Sequence, residues 1–415
     1  MNIFALIILT AIIAEFAIEF IADKLNLSMI NDNIPESFKD IYDRDSYKKS
    51  QNYLKVNTRF DWLTSSFGTL LIIGFWFLKG FPALDKFLSS FGLGPIATGV
   101  LFMGSLIFAN SLLSLPFSLY KTFVIEEKFG FNKTTVKTYI TDMIKSAVLG
   151  TLIGAPLLAG ILAFFQYAGS LAWLYCWITV VLSLILLQYL IPVWIMPLFN
   201  KFEPIEDGEL KEAILNYAAS INFSLKNVFK MDGSKRSAKS NAFFTGFGRN
   251  KRIVLFDTLI NQHTTSELVA VLAHEMGHFK KKHIIKTMVA GILQAGFVFY
   301  ILSVCLSSKG LFEAFYMDTT PIYAGLIFFS MLFAPISFFT GLIMQMYSRK
   351  NEFEADTFAA ETTNNPEAMT NALKKLYVSN LGNLHPHPFY VFLNYSHPPV
   401  IERINNISAS QAKTD

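Results

Sequence analysis

Seven histidines occur in the 415 residues, and two of them, His274 and His278, stand four apart with Glu275 between them. Residues four apart on an α-helix lie one turn above each other on one face, so these two imidazoles can converge on a single ion. Glu275 sits beside the pair without being needed as a ligand. The chemistry this suits is hydrolysis. Zinc accepts imidazole and carboxylate ligands, and an open fourth position lets it take up water and lower its pKa to about 7. Glu275 can then take the proton, so we expect one zinc per chain and a catalytic base at Glu275.

A third ligand must come from elsewhere. One zincin pattern places it six residues after the second histidine, following a glycine; here those positions hold Lys281 and Ile284, which excludes that subtype. His283 is one residue out of place and, following Lys280, Lys281 and Lys282, reads as a membrane-surface residue. The better source is the stretch Arg349 to Asp356. Glu352 and Asp356 are four apart and share a helical face, whereas Glu354 points elsewhere. We assign Glu352 as the metal ligand and Asp356 as the carboxylate that orients a ligating histidine. A second role for Asp356 in proton transfer stays open.

These residues need rigid elements to carry them. Thr264 followed three residues later by Glu267 is a capping-box signature, and Leu268, Val269, Val271 and Leu272 continue it as the helix that bears His274 and His278. A second helical pattern runs from about Ser348 to Thr362. Ala242 to Phe247 and Arg252 to Phe256 are short apolar runs separated by Gly248 to Lys251, which predicts a β-hairpin.

The rest of the chain is built for a bilayer: 52% of its residues are hydrophobic and only 16% charged. A spanning helix needs about 20 mainly apolar residues. Seven stretches qualify, at about 3 to 21, 62 to 84, 95 to 119, 146 to 166, 170 to 199, 284 to 306 and 321 to 346. The fifth holds Pro192 and Pro197 and is expected to kink or to continue beyond the bilayer. The connections 22 to 61 and 120 to 145 are long and rich in Lys and Arg, so they are expected in the cytoplasm, with the N-terminus on the opposite side and the C-terminus on the cytoplasmic one. The N-terminal apolar run lacks a signal peptide's basic region and cleavage site and reads as a retained first span.

The domain reading follows. Residues 1–199 form a membrane region of five spans, 200–283 the first part of a peptidase domain, 284–346 two further spans, and 347–415 the second part with the tail. A net charge of +4, dispersed beside apolar spans, gives no nucleic-acid surface. Cys176 and Cys305 each lie in an apolar run and read as packing residues. Gln411 to Asp415 is expected to fray.

Taken together, the spans, Ser237 to Asp257 with its Asn241, Ala242, Phe243, Phe244 core, His274 to His278, Glu352 to Asp356, and Tyr395 to Arg403 resemble the integral-membrane zinc CAAX prenyl endopeptidases, of the gluzincin type. The resemblance extends over nearly the whole chain. It implies an α-helical polytopic membrane fold whose helices enclose an intramembrane chamber, with a mainly helical peptidase domain carrying a small β-hairpin and edge strand. It implies that Asn241, Ala242, Phe243 and Phe244 align substrate as an edge strand, that His397 steadies the oxyanion, and that Arg403 supports it. The implied partners are the bilayer and a peptide or protein substrate prenylated at a C-terminal CAAX cysteine, from which the last three residues are removed. The end of the chain carries no dilysine retrieval signal, so a bacterial inner membrane and an endoplasmic-reticulum membrane are both open, with the active site facing the cytoplasm. Two other functions are open: membrane-protein quality control, as in the HtpX heat-shock proteases, and a catalytically silent scaffold or transporter. The intact Glu275 counts against the silent reading.

Overall fold

The computed structural model describes residues 1–225, 227–245 and 252–411. In chain order the N-terminal helices are α1 (Ile3–Ser28), α2 (Arg44–Phe77), α3 (Gly80–Ser89), α4 (Pro95–Tyr120), α5 (Val136–Tyr167), α6 (Ala172–Leu190) and α7 (Met196–Phe199). The first long polar segment follows with β1 (Phe202–Pro204), α8 (Glu209–Ser220), β2 (Asn227–Met231), β3 (Ala242–Thr245), β4 (Arg252–Phe256), α9 (Asp257–Gln262) and α10 (Thr265–Lys280). Then come α11 (His283–Cys305), α12 (Lys309–Glu313), α13 (Ile322–Thr363), α14 (Pro366–Ser379), α15 (Pro388–Asn394) and α16 (Val400–Gln411).

Among the described residues, seven helices are long and apolar enough to cross a membrane, matching the seven apolar stretches of the sequence. Their boundaries differ most at the second span; α1 and α13 also extend past the C-terminal ends of their stretches, and α5 begins at Val136, before its stretch. Asp43 caps α2 by accepting from the Ser46 amide at 2.8 Å, so residues 44–61, read above as connection, are the first turns of the second spanning helix. Lys48, Lys49 and Lys55 are good helix formers, and no breaker interrupts them. That helix also stops at Phe77, before the 84 that hydropathy suggests. Lys79 turns into left-handed backbone at φ 59°, and a Cβ on Gly80 would lie 2.4 Å from the Phe75 ring, a fold-back that a hydropathy window cannot register. The fifth span does continue past a distortion: Pro192 lies in a π turn, Ile191–Ile195, between α6 and α7.

Few residues of each apolar stretch, 6–17%, are fully buried inside the protein. The tightest membrane packing is aromatic. Phe315 stacks on Phe328 with centroids 3.9 Å apart, and the Trp76 indole N–H donates to the Ala314 carbonyl at 2.8 Å. Cys176 is buried and Cys305 half-buried, both as free thiols.

The polar segment before α10 holds a four-stranded sheet in the order β1-β2-β4-β3. β3 pairs antiparallel with β4, Phe243 opposite Val254, as the hairpin pattern predicts; the turn expected at Gly248 to Lys251 lies outside the described residues, as does nearly all of the tail expected to fray. β1 and β2 were not anticipated; β2 runs parallel to β4. One buried cluster joins Ile214, Leu255, Leu268 and Met276 to Ala359, Leu373 and Ile404, so the polar segments before and after the last two spans share a core. Phe38 and Tyr47, from the first connection, are buried in it too. α13 is continuous from Ile322 to Thr363, so the boundary drawn at 346/347 falls within one helix.

Candidate active site and metal centre

α10 is held at its N-terminus by the capping box. The Thr264 amide donates to Glu267 Oε2 at 2.8 Å, and the Glu267 amide returns a bond to Thr264 Oγ1 at 3.4 Å. Lys375 Nζ, 2.7 Å from the same carboxylate, ties that end to α14. One face of α10, Leu268, Val271, Leu272 and Met276, enters the shared core, which fixes the rotation of the helix and so the direction of its histidines. Gly277 lets α10 approach α13: a Cβ there would lie 3.0 Å from the Phe358 ring and 3.3 Å from Ala355 Cα.

That approach brings the two halves of the centre together. His274 Nε2 and His278 Nε2 are 3.1 Å apart. Glu352 Oε2 is 3.4 Å from the first and Glu352 Oε1 3.3 Å from the second. Each of the three residues thus offers a ligand atom, all within 4.8 Å of one another. Two imidazole nitrogens facing each other across a carboxylate make a poor hydrogen-bond set but a good metal set. Glu352 Oε2 agrees with this: it is buried and has no hydrogen-bond partner. A divalent metal would satisfy all three groups at once.

Behind this set lies a buried scaffold. Asp356 is fully buried, and its Oδ1 is 2.9 Å from His274 Nδ1, which leaves Nε2 to face the centre. Arg403 from α16 grips both Asp356 oxygens, Nε to Oδ2 at 2.7 Å and Nη2 to Oδ1 at 2.6 Å. Burial by itself would lower the Arg403 pKa, but the Asp356 charge outweighs it and the cation is held above its ordinary range. Burial likewise works against a charged His274, yet the nearby Asp356 and Glu352 carboxylates prevail and carry its pKa up to about 9. Burial pushes the Glu275 carboxyl up, while the neighbouring His274 and His278 pull the other way.

His397 stands on the open side. Its side chain is 59% exposed, with Nε2 at 3.4 Å from Glu352 Oε1 and Nδ1 at 2.9 Å from Ser396 Oγ. The segment before it is pinned by Arg349, whose Nη1 donates to the Val391 carbonyl at 3.2 Å and the Tyr395 carbonyl at 2.5 Å. The structure therefore gathers His274, Glu275, His278, Glu352, Asp356, His397 and Arg403 in one place. Arg403 lies behind the candidate ligands, 7% exposed, with its Nη2 also 3.6 Å from Glu352 Oε2.

Asn241 leads into β3, whose outer edge has no strand partner among the described residues. Ser240 and Asn380 exchange two hydrogen bonds, 3.1 and 3.2 Å, that anchor the strand's start to the end of α14. Phe244 packs on Phe279, centroids 5.6 Å apart, which sets the strand beside the His278 end of α10.

Sequence reasoning missed the contact between His278 and His283. His283, the first residue of α11, is 3% exposed, with its Nδ1 3.0 Å from His278 Nδ1 and its Nε2 3.1 Å from Glu354 Oε2. Lys282, at φ 60°, reverses the chain between α10 and α11 and folds His283 back onto His278. Glu354 points away from the ligand set as expected, but reaches it through His283. The five-residue spacing from His278 to His283 crosses that reversal, so no helical periodicity signals the contact.

Comparison with known proteins agrees with this geometry. Residues 24–201 match the family described as CAAX prenyl protease N-terminal, five membrane helices, and residues 204–411 match peptidase family M48. The chain is 37% identical over 394 residues to the CAAX prenyl protease 1 homolog of Arabidopsis thaliana, covering 92% of each. It is 34% identical over 420 residues to CAAX prenyl protease 1 of Saccharomyces cerevisiae, covering 94% of this chain and 92% of that one. The crystal structure of S. mikatae Ste24p superposes with a TM-score of 0.91 at 35% identity, over 98% of this chain and 99% of that one.

Proposed function

The chain belongs to peptidase family M48, its peptidase domain following a five-helix CAAX prenyl protease N-terminal domain, and from that premise we propose that it is a zinc endopeptidase removing the last three residues of prenylated CAAX proteins. The observation that carries the reading is the convergence of His274, His278 and Glu352 within 4.8 Å, with Glu275 next to them in sequence. The family implies a metal, and a two-histidine, one-carboxylate set with an open side is suited to zinc. Bound there, the ion would supply a Lewis acid and acidify water.

The chain's own residues do the rest. An extended substrate adds to the free edge of β3 through main-chain hydrogen bonds, aligned along Asn241, Ala242, Phe243 and Phe244. Glu275 takes the proton from the attacking water and passes it to the leaving amine; burial, by raising its pKa, suits it to do both. His397, exposed on the open face, donates to the carbonyl oxygen as it becomes negative. Arg403 acts through Asp356, which keeps His274 Nδ1 occupied; because both Asp356 oxygens are bound by Arg403, orientation suits Asp356 better than proton transfer.

The apolar spans, few of whose residues are fully buried, suit a lipid-bearing substrate: each buried methylene of a prenyl chain contributes roughly 0.8 kcal/mol, so the lipid would add several kcal/mol to binding and register. The cytoplasmic placement of the site rests on the basic connections 22 to 61 and 120 to 145. The test is cleavage of matched prenylated and unprenylated CAAX peptides by the purified protein, with and without chelator. The expected result is chelator-sensitive release of the C-terminal tripeptide, with kcat/KM far higher for the prenylated form. Equal or faster cleavage of unprenylated membrane peptides would transfer the assignment to quality control.

A further inference from the structure

His274 has an evident orienting partner in Asp356, but the outer nitrogen of His278 meets no carboxylate or carbonyl among the described residues. Its Nδ1 meets another imidazole, His283 Nδ1, at 3.0 Å, and the far nitrogen of that ring, His283 Nε2, lies 3.1 Å from Glu354 Oε2. The three side chains form a line leading away from the centre. His283 is 3% exposed, whereas the Glu354 side chain at the outer end is 36% exposed.

Hydrogen-bond bookkeeping along this line has one outcome when both rings are neutral. An ionised carboxylate only accepts, so His283 must donate from Nε2. A neutral imidazole carries one N–H, so His283 Nδ1 is then an acceptor. The proton between the rings therefore sits on His278 Nδ1, and His278 Nε2 is left with a bare lone pair. That nitrogen is the one that faces His274 Nε2 and Glu352. Reversing the line would put a hydrogen on His278 Nε2, where it blocks a ligand bond.

We infer that His283 and Glu354 are positioning residues that set the tautomer and ring orientation of His278 for metal binding. The inference rests on the metal reading of His274, His278 and Glu352 and deepens it. It also explains why a histidine following three lysines is buried, and it gives Glu354 a function that its helical face does not suggest. Partners of this kind alter metal affinity by about 10 to 100-fold when removed.

The experiment is chelator competition for Zn²⁺ and Co²⁺ with the full-length protein, together with the cobalt visible spectrum and the thermal midpoint of the metal-free protein. His278→Ala tests the underlying reading: if it binds metal as the parent does, the metal site is wrong. With that control behaving as expected, His283→Phe and Glu354→Leu should each weaken metal binding about 10 to 100-fold and change the cobalt spectrum. Glu354→Gln should stay within about threefold of the parent, because its amide oxygen still accepts from His283. Glu354 lies at the rim, so its variants report on the line even if His283→Phe perturbs folding. Parent-like affinity in both Glu354→Leu and His283→Phe would overturn the inference, as would losses that follow the metal-free midpoint alone.

Discussion

Replacing Gly277 with alanine sets two effects of opposite sign against each other. In a helix interior alanine is favoured over glycine by about 0.8–1.0 kcal/mol, so propensity alone predicts a stabler α10. The added Cβ, however, would stand 3.0 Å from the Phe358 ring, 3.3 Å from Ala355 Cα and 3.4 Å from the Ala355 carbonyl oxygen. Phe358 is partly exposed and can turn aside, but the α13 backbone cannot. Carbon pairs prefer about 3.5–4.0 Å, so α10 and α13 must separate by a few tenths of an ångström. Overpacking of this kind typically costs about 1–3 kcal/mol, which offsets or exceeds the gain in propensity. The consequence for the site is larger than that for the fold. His274 and His278 ride on α10 and Glu352 on α13, while a metal tolerates errors in ligand distance of only about 0.2 Å. We expect zinc affinity, measured by chelator competition on the purified protein, to fall about tenfold or more, with the metal-free thermal midpoint changing little. Wild-type zinc affinity in Gly277→Ala would show that the close approach of the helices does not set the ligand spacing.

Zinc content of about one per chain should disappear in His278→Ala, whereas Glu275→Gln should keep the metal and lose turnover by at least about 10²-fold, as read by metal analysis beside a peptide-release assay. Because the metal-free His274 has its pKa raised to about 9, its proton competes with the metal below that pH. Apparent affinity should therefore fall about tenfold per unit as pH drops below about 9 and level off above it, checked by chelator competition across pH. Arg403→Met leaves the fully buried Asp356 without its cation and should destabilise the fold by about 3–5 kcal/mol, seen as a lowered thermal midpoint; Arg403→Lys, which lacks the bidentate fork, should recover only part of that.

What the sequence shows about this site follows from periodicity. His274 with His278, and Glu352 with Asp356, are legible because each pair sits at helical spacing on one element, and the capping box at Thr264 and Glu267 marks where the first helix begins. The seven spans are legible because length and apolarity suffice to find them. Features that depend on two elements meeting are not. The reversal at Lys282 that buries His283 and the fold-back at Gly80 that ends the second span are backbone events with no hydropathy signature. β1 and β2 are short, of three and five residues, and their pairing joins segments that no local pattern relates. Gly277 was visible only as a letter between the histidines; its importance depends on Ala355 lying opposite.

The continuity of α13 links these observations. Its 42 residues extend about 63 Å at 1.5 Å per residue, roughly twice the ~30 Å hydrocarbon core of a bilayer. The C-terminal part carries Glu352 and Asp356 with no break after the apolar run, so the proposed third ligand and its neighbour are in fixed register with the membrane span. α10, by contrast, leads into α11 through the left-handed turn at Lys282, and the contact of His283 with His278 lies across that turn. One half of the metal set is thus fixed to the bilayer by an unbroken helix, and the other by a corner that two imidazoles and a carboxylate hold closed. Perturbations at that corner should reach the metal before they reach the fold, as the His283 and Glu354 variants are designed to show.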